Sequence, residues 1–314
     1  MGSKRYDGKA AGKRQLRERL GRPALSYTVL AICCLGLALA CVRLIRYGQS
    51  AAGRSRTNQA LQALHAEVEE GETSQEKASI LAEDTPLPAE EDAANGMETQ
   101  PALTPEPIAF RAEYQALGGE LLPEMARLRE TNGDLVAWLR IPGLVDLPVV
   151  YSGDNRYMDI DFYGRPDNGG TLFLDALHPL AAGTQHLIVH GHNMKDGSMF
   201  GLLSHYRQAG YAARHSAVYF STLYRREEYR VFCVAQVSID PYASSYVQYV
   251  GHPTFRDEEQ LDLWLGELRK NALYWAETPT PADALLTLST CIGDDRLLVM
   301  CRRVGEPDPE AAQA

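Results

Sequence analysis

A mainly β head, folded as a closed barrel or sandwich and carried behind a membrane-spanning helix and an acidic linker, is the architecture this sequence predicts. Three observations predict it. The C-terminal two-thirds of the 314 residues contains eight short β-type runs punctuated by Gly, Pro, Asn and Asp. A stretch near the N-terminus carries no charge over 19 residues, Ala24 to Val42. Charge reverses between the two regions: residues 1–50 hold a net +8, and the rest of a chain whose total is −10 holds a net −18.

The uncharged stretch is long enough to cross a hydrocarbon core of about 30 Å at about 1.5 Å per residue, so it reads as a transmembrane anchor over 24–46. A cleaved signal peptide is the competing reading, but the exit Val42-Arg43-Leu44-Ile45-Arg46 offers no small-residue cleavage site. Eight of the first 22 residues are Lys or Arg, which by the positive-inside rule makes 1–23 a cytoplasmic tail and all that follows the span extracytoplasmic. Arg43, Arg46, Arg54 and Arg56 on the far flank weaken that asymmetry without reversing it. The lipid bilayer is therefore an expected partner through 24–46. Nucleic acid is not, because an acidic chain lacks the basic surface that displaces counterions from phosphate.

Residues 47–107 read as an acidic extracytoplasmic linker. Between Glu67 and Glu106 only Lys77 is basic, and apolar residues are too sparse to offset ordering entropy, apart from a short helix around Ala60–Val68. Three of the six Cys lie in the apolar span; Cys233, Cys291 and Cys301 lie outside it. An odd count in an exported domain leaves at least one thiol free or paired between chains.

The head is expected over 108–306, with 307–314 a disordered tail. Leu117, Leu121, Leu122, Met125 and Leu128 recur at helical spacing and Asn132-Gly133 ends that helix. The β-type runs follow at Val136–Ile141, Val149–Tyr151, Thr171–Leu174, His186–His190, Val218–Leu223, Tyr229–Ile239, Leu285–Thr290 and Leu297–Val304. One longer helix interrupts them, with Asp257 as N-cap, Glu258 and Glu259 in its first turn, and an apolar stripe of Leu261, Trp264, Leu265, Leu268 and Ala272.

The chemistry gathers at two places. Leu286-Thr287-Leu288-Ser289-Thr290-Cys291 ends a β-type run on one of the three outlying thiols, and Arg296 opens the next run. If the two runs pair as a hairpin, Cys291 and Arg296 face each other at about 5 Å between Cα atoms, where a guanidinium favours a thiolate or stabilises a substrate oxyanion. The plainer alternative is a buried strand-end hydrophobe. Leu187-Ile188-Val189-His190-Gly191-His192-Asn193-Met194 carries two His to the end of another run, and a loop His on a rigid sheet suits acid–base work. A metal site at His190 and His192 is disfavoured, since Asp196 is at no familiar ligand spacing. The acidic linker likewise has no organised calcium loop, and no cofactor is expected.

This order of His, then Leu-Ser-Thr-Cys at a strand end, then Arg opening the next strand resembles that of sortases, the membrane-anchored transpeptidases of Gram-positive bacteria. Thr287-Leu288-Ser289-Thr290-Cys291 matches the nucleophile motif, and Gly191 to Phe200 is similar to the class B histidine segment. Asn132 to Gly143 and Leu147 to Val150 resemble the first strands, and the helix after Pro253 resembles the class B helix. The resemblance covers about Ile108 to Val304. It implies a closed eight-stranded barrel with an N-terminal helix and a helix inserted before the last two strands. It also implies a cysteine-type transpeptidase in which Cys291 is the nucleophile, His192 the acid/base and Arg296 the third member, with His190 structural. Arg302 and Arg303, at the far end of the last strand, are out of reach. Ser289, Thr290, Tyr246 and Asn155 are the implied peptide-binding residues. The implied partners are surface proteins bearing a C-terminal sorting signal, cleaved after Thr, and an amine of the peptidoglycan cross-bridge or a pilin Lys. The loop between Cys291 and Arg296 is shorter than class B sortases usually have. A cysteine peptidase resolving the same intermediate with water, and a non-catalytic surface module, are the alternatives.

Overall fold

The computed structural model describes residues 30, 32–45, 48–67, 120–181 and 183–307. The expected cytoplasmic tail, the start of the anchor, linker residues 68–107, the beginning of the head and residues 308–314 lie outside them. The chain divides into two units, Met1–Gly53 and Arg54–Ala314. Helix α1 (Ile32–Glu67) supplies the described part of the first, and its most apolar window, of mean hydropathy 1.4, is long and apolar enough to cross a membrane. The second unit opens with the remainder of that helix. There Leu61 is buried in the barrel cluster, His65 stacks on Trp138 with centroids 4.2 Å apart, and the Gln62 amide donates to the Asp146 carbonyl at 2.8 Å. Residues 54–67 thus belong to the folded body, where a linker was expected. An apolar face of Leu61 and Leu64 gives them something to bury.

Helix α2 (Pro123–Thr131) starts with Pro at its first turn, where the missing N–H costs nothing, and ends at Asn132 as expected. Then come β1 (Leu135–Ile141), β2 (Val145–Val150), β3 (Leu172–Leu174), β4 (His186–His190), helix α3 (Ala209–Arg214), β5 (Ala217–Thr222) and β6 (Arg226–Ser238). Helix α4 (Glu258–Lys270), β7 (Ala272–Trp275), β8 (Leu285–Ile292) and β9 (Asp295–Gly305) complete the order. The sheet runs β5-β1-β2-β3-β4-β8-β9-β6, and a β5–β6 pairing closes it, so the eight expected strands form a closed barrel. Pairing is antiparallel except for β2–β3 and β4–β8. Closure leaves those eight strands without an open edge.

A ninth strand, β7, pairs with the outer stretch of β6. It corrects one expectation: Ala272 is not on the stripe of the inserted helix, which still precedes the last two barrel strands, β8 and β9. The helix stops at Asn271, whose N–H returns to the Leu268 carbonyl, and Ala272 pairs with Ala235. The rest of α4 is as expected, with the Asp257 carboxylate accepting from the Gln260 N–H at 2.9 Å. Leu261, Trp264, Leu265 and Leu268 are buried against Phe232, Cys233, Ala235 and Val237 of β6 in a second cluster outside the barrel. Strand β6 serves both cores. Val231 and Val234 face the barrel interior, and the bulge between Val231 and Cys233 turns Phe232 and Cys233 outward.

Candidate active site

Strand β8 is buried from Leu285 to Thr290 and emerges at Cys291. Its faces alternate, as a strand's must. Leu286 and Leu288 enter the barrel core, while Thr287, Ser289 and Cys291 share the other face. A two-residue turn, Gly293-Asp294, then reverses the chain into β9. Gly293 takes φ +60°, a conformation that costs glycine little. The register places Cys291 directly opposite Arg296, and the Arg296 Nη1 donates to Cys291 Sγ at 2.6 Å. Cys291 is exposed; Cys233 and Cys301 are buried, and burial pushes the Cys233 thiol up to about 12 and that of Cys301 higher still.

Strand β4 runs parallel to β8, with His190 level with Ser289. Gly191 N–H donates to the Ser289 carbonyl, and the Thr290 hydroxyl donates to the Gly191 carbonyl at 2.8 Å. Counting on from that last paired rung brings His192, on the loop that leaves β4, to the level of Cys291 at the end of β8. Asn193 fastens this level, its amide donating to the Cys291 carbonyl at 2.8 Å. Gly191 is required here by packing, because a Cβ would lie 2.4 Å from Leu172 and 2.7 Å from Phe200. Beyond it the chain makes a closed loop: Asn193 bridges Met199, and the Phe200 N–H returns to the His192 carbonyl at 3.0 Å.

The His192 ring is half-buried, and its Nε2 lies 2.9 Å from the Met158 carbonyl. A carbonyl only accepts, so Nε2 carries the proton and Nδ1 is the basic nitrogen of the neutral ring. Met158 ends the short 3₁₀ turn Arg156–Met158, anchored by the buried Tyr157, whose hydroxyl donates to Asp134 at 2.9 Å. His190 Nε2 instead donates to the Asp175 carboxylate at 2.9 Å. Burial works to raise the Asp175 carboxyl, but hydrogen bonds from His190 and the Leu177 N–H outweigh it and hold it below the usual range.

No protein-family model matches the chain. Over 178 residues it is 27% identical to Sortase B of Listeria monocytogenes, a span covering 56% of this chain and 70% of that one. A solved structure from Bacillus anthracis, described as similar to sortase B, matches with TM-score 0.54 at 26% identity over 65% of this chain and 100% of that chain. The Staphylococcus aureus sortase B–substrate complex shares the fold, with TM-score 0.52 at 22% identity over 63% and 94% of the two chains.

Sequence and fold together support a class B sortase.

As a sortase it is a cysteine transpeptidase, and the remaining expected site residues lie on β8 and in the segments around Tyr246 and Asn155. The Ser289 hydroxyl is 3.0 Å from the Tyr249 hydroxyl. Burial raises that phenol, with the Ser289 hydrogen bond and the Arg296 charge acting the other way. Thr290 is buried and faces away from Cys291, its hydroxyl spent on the Gly191 carbonyl. Tyr246 bridges Ser238 through its backbone, and it is Tyr249 whose hydroxyl reaches Ser289. Asn155 is exposed at the head of the turn that ends in Met158. Arg302 pairs with Glu277 and Asp283, and Arg303 with Glu227, away from this sortase's thiol. Among the described residues no group of three His, Cys, Asp or Glu is placed to hold a metal ion.

Asn193, Tyr249 and the Met158 carbonyl are the neighbours that residue patterns missed. A backbone carbonyl has no sequence signature. Tyr249 is one of two tyrosines three residues apart in a segment without regular structure, where no periodicity ranks one above the other.

Proposed function

We propose that Cys291 is the nucleophile, His192 the acid/base and Arg296 the electrostatic partner in a transpeptidation that cleaves a C-terminal sorting signal after Thr. The carrying observation is the β8–β9 register, which sets Arg296 directly across from Cys291 with Nη1 on the sulfur at 2.6 Å. A guanidinium there favours the anionic sulfur, which is the attacking form. The thiolate attacks the Thr carbonyl carbon, forming the C–S bond and placing charge on oxygen. The C–N bond then breaks, and the His192 imidazolium, through Nδ1, gives its proton to the departing amine. The thioacyl intermediate is resolved by an amine of the peptidoglycan cross-bridge or a pilin Lys, whose proton returns to His192 as Cys291 leaves. Arg296 is placed to hold the oxyanion in both steps.

Ser289 with Tyr249, and less directly Tyr246 and Asn155, line the approach to the sulfur and serve as peptide contacts. The apolar part of α1 acts as an uncleaved anchor, with the basic N-terminus cytoplasmic and the barrel outside the membrane. Surface proteins with sorting signals then reach Cys291 from the same compartment.

The test is mass spectrometry of products from the full chain, a sorting-signal peptide and triglycine. The expected product is the peptide's acyl part joined to triglycine, absent with Cys291→Ala. Exclusive hydrolysis in excess triglycine, or turnover retained by Cys291→Ala, defeats the proposal.

A further inference from the structure

Arg54 is the one buried Lys or Arg among the described residues, its side chain 2% exposed. A buried guanidinium is costly unless its N–H groups find charged or polar acceptors. Here the terminal N–H groups find them on two separate loops, while Nε has no acceptor. Nη1 donates to the Asp167 carboxylate and to the Asn168 side-chain carbonyl at 3.2 Å, and Nη2 donates to the Asp196 carboxylate at 3.0 Å.

Both loops lead to His192. On one side the Arg54 side chain packs against Gly169, where a Cβ would come within 2.2 Å of Nη1. The adjoining Gly170 packs so closely on the preceding turn that a Cβ there would sit 2.6 Å from the Met158 carbonyl oxygen. That oxygen is the one that receives His192 Nε2. On the other side Asp196 lies within the closed loop from Asn193 to Met199, and its other oxygen accepts from the Ser198 N–H at 3.0 Å and hydroxyl at 2.6 Å. This loop ends at Met199 with φ +52°, a strained conformation for a side chain of that size, which persists only where surroundings impose it.

We propose that Arg54 is a positioning residue for the transpeptidation, clamping the His192 loop and the Met158 carbonyl to each other so that Nε2 stays engaged and Nδ1 stays available. This rests on the reading of His192 as acid/base. The segment that follows the apolar stretch is then a working part of the site. One guanidinium suits the task because its planar fork reaches two carboxylates at once, which an ammonium does not.

The test uses the full chain in detergent with two readouts: amide hydrogen exchange, and the pH profile of Cys291 alkylation by iodoacetamide, followed on the Cys291 peptide. Arg54→Gln is expected to raise exchange about tenfold in 157–170 and 192–200 and to move the alkylation profile toward that of His192→Ala, with Arg54→Lys recovering part of the shift. Asp196→Asn, which cuts only one arm and leaves Arg54 paired, is expected to raise exchange in 192–200 alone; it carries the test if Arg54→Gln does not fold. Unchanged exchange in both segments, exchange raised throughout the barrel, or a native alkylation profile in Arg54→Gln where His192→Ala shifts it, each overturns the clamp. If His192→Ala itself leaves the profile unchanged, the acid/base reading falls, and exchange confined to the two segments still sustains Arg54 as their clamp.

Discussion

Strands β4 and β8 run side by side in parallel, and their two ends carry similar side chains into opposite surroundings. At the starting end, His186 hydrogen-bonds the Thr287 hydroxyl at 2.8 Å through Nε2 and the His252 carbonyl at 3.2 Å through Nδ1. It is fully buried beside His178, Phe255 and Trp264, and burial, seconded by the nearby His178, drives its pKa down to about 3. At the finishing end, His192 sits half in solvent on the loop after β4, and Cys291 is exposed at the end of β8. An imidazole fixed neutral by desolvation holds strands together. One left in contact with water can change charge and move protons. Residue type is common to both ends; solvation separates their work.

The largest effect that would break this contrast is expected at the open end. Arg296→Ala should lower kcat about 100-fold, as loss of a preorganised donor to developing charge does. Arg296→Lys should recover only part of it, since the planar, delocalised guanidinium donor to the sulfur is lost. Steady-state kinetics with a sorting-signal peptide and triglycine check this, and unchanged kcat in both variants would remove Arg296 from the chemistry.

A smaller effect is expected at the buried end, in stability and not in kcat. His186→Leu strips a partner from Thr287 and from the His252 carbonyl and should cost about 2 kcal/mol. It should also change the response to acid. With a folded pKa of about 3 against an ordinary 6.5, His186 takes up a proton only on unfolding between those values. Its contribution is therefore complete above pH 6.5 and is lost as pH falls, at up to about 1.4 kcal/mol per unit. Unfolding of the full chain in detergent at pH 7 and pH 5 should show a steeper loss for the native protein than for His186→Leu. Equal slopes would mean that His186 is not the buried neutral group described.

The smallest effect is expected between the two ends. Tyr249→Phe removes one hydroxyl from Ser289 and should cost about 1 kcal/mol in kcat/KM, appearing in KM. A fall in kcat with constant KM would place Tyr249 in the chemical step instead.

Legibility in the sequence followed the same division. The eight barrel strands and α4 were readable because their burial repeats at periods of two and 3.6, and Cys291 and Arg296 because a hairpin makes chain neighbours into space neighbours. Strand β7 was not, since its four residues follow directly on a helix and only Ala272, Tyr274 and Trp275 are partly buried. The early start of β2 was hidden by Pro148, which reads as a breaker yet pairs with Trp138. Arg54 was read as a charge flanking an apolar span. Its partners Asp167, Asn168 and Asp196 lie more than 110 residues away, a distance no local pattern spans.

The two-residue turn between Ile292 and Asp295 also decides which changes of length this hairpin can absorb. Cys291 meets Arg296 because the β8 and β9 rungs below the turn are in step, and side chains on a strand alternate with every residue. Extra residues accommodated within the turn leave the pair facing. One extra residue taken up as a slip of β9 carries Arg296 to the opposite side of the sheet. The separation of the two residues along the chain is free to vary, whereas their parity is not. A short turn and a longer one are therefore compatible with the same facing pair, and engineered insertions at Gly293-Asp294 offer a route to altering the surface beside Cys291 without moving the sulfur.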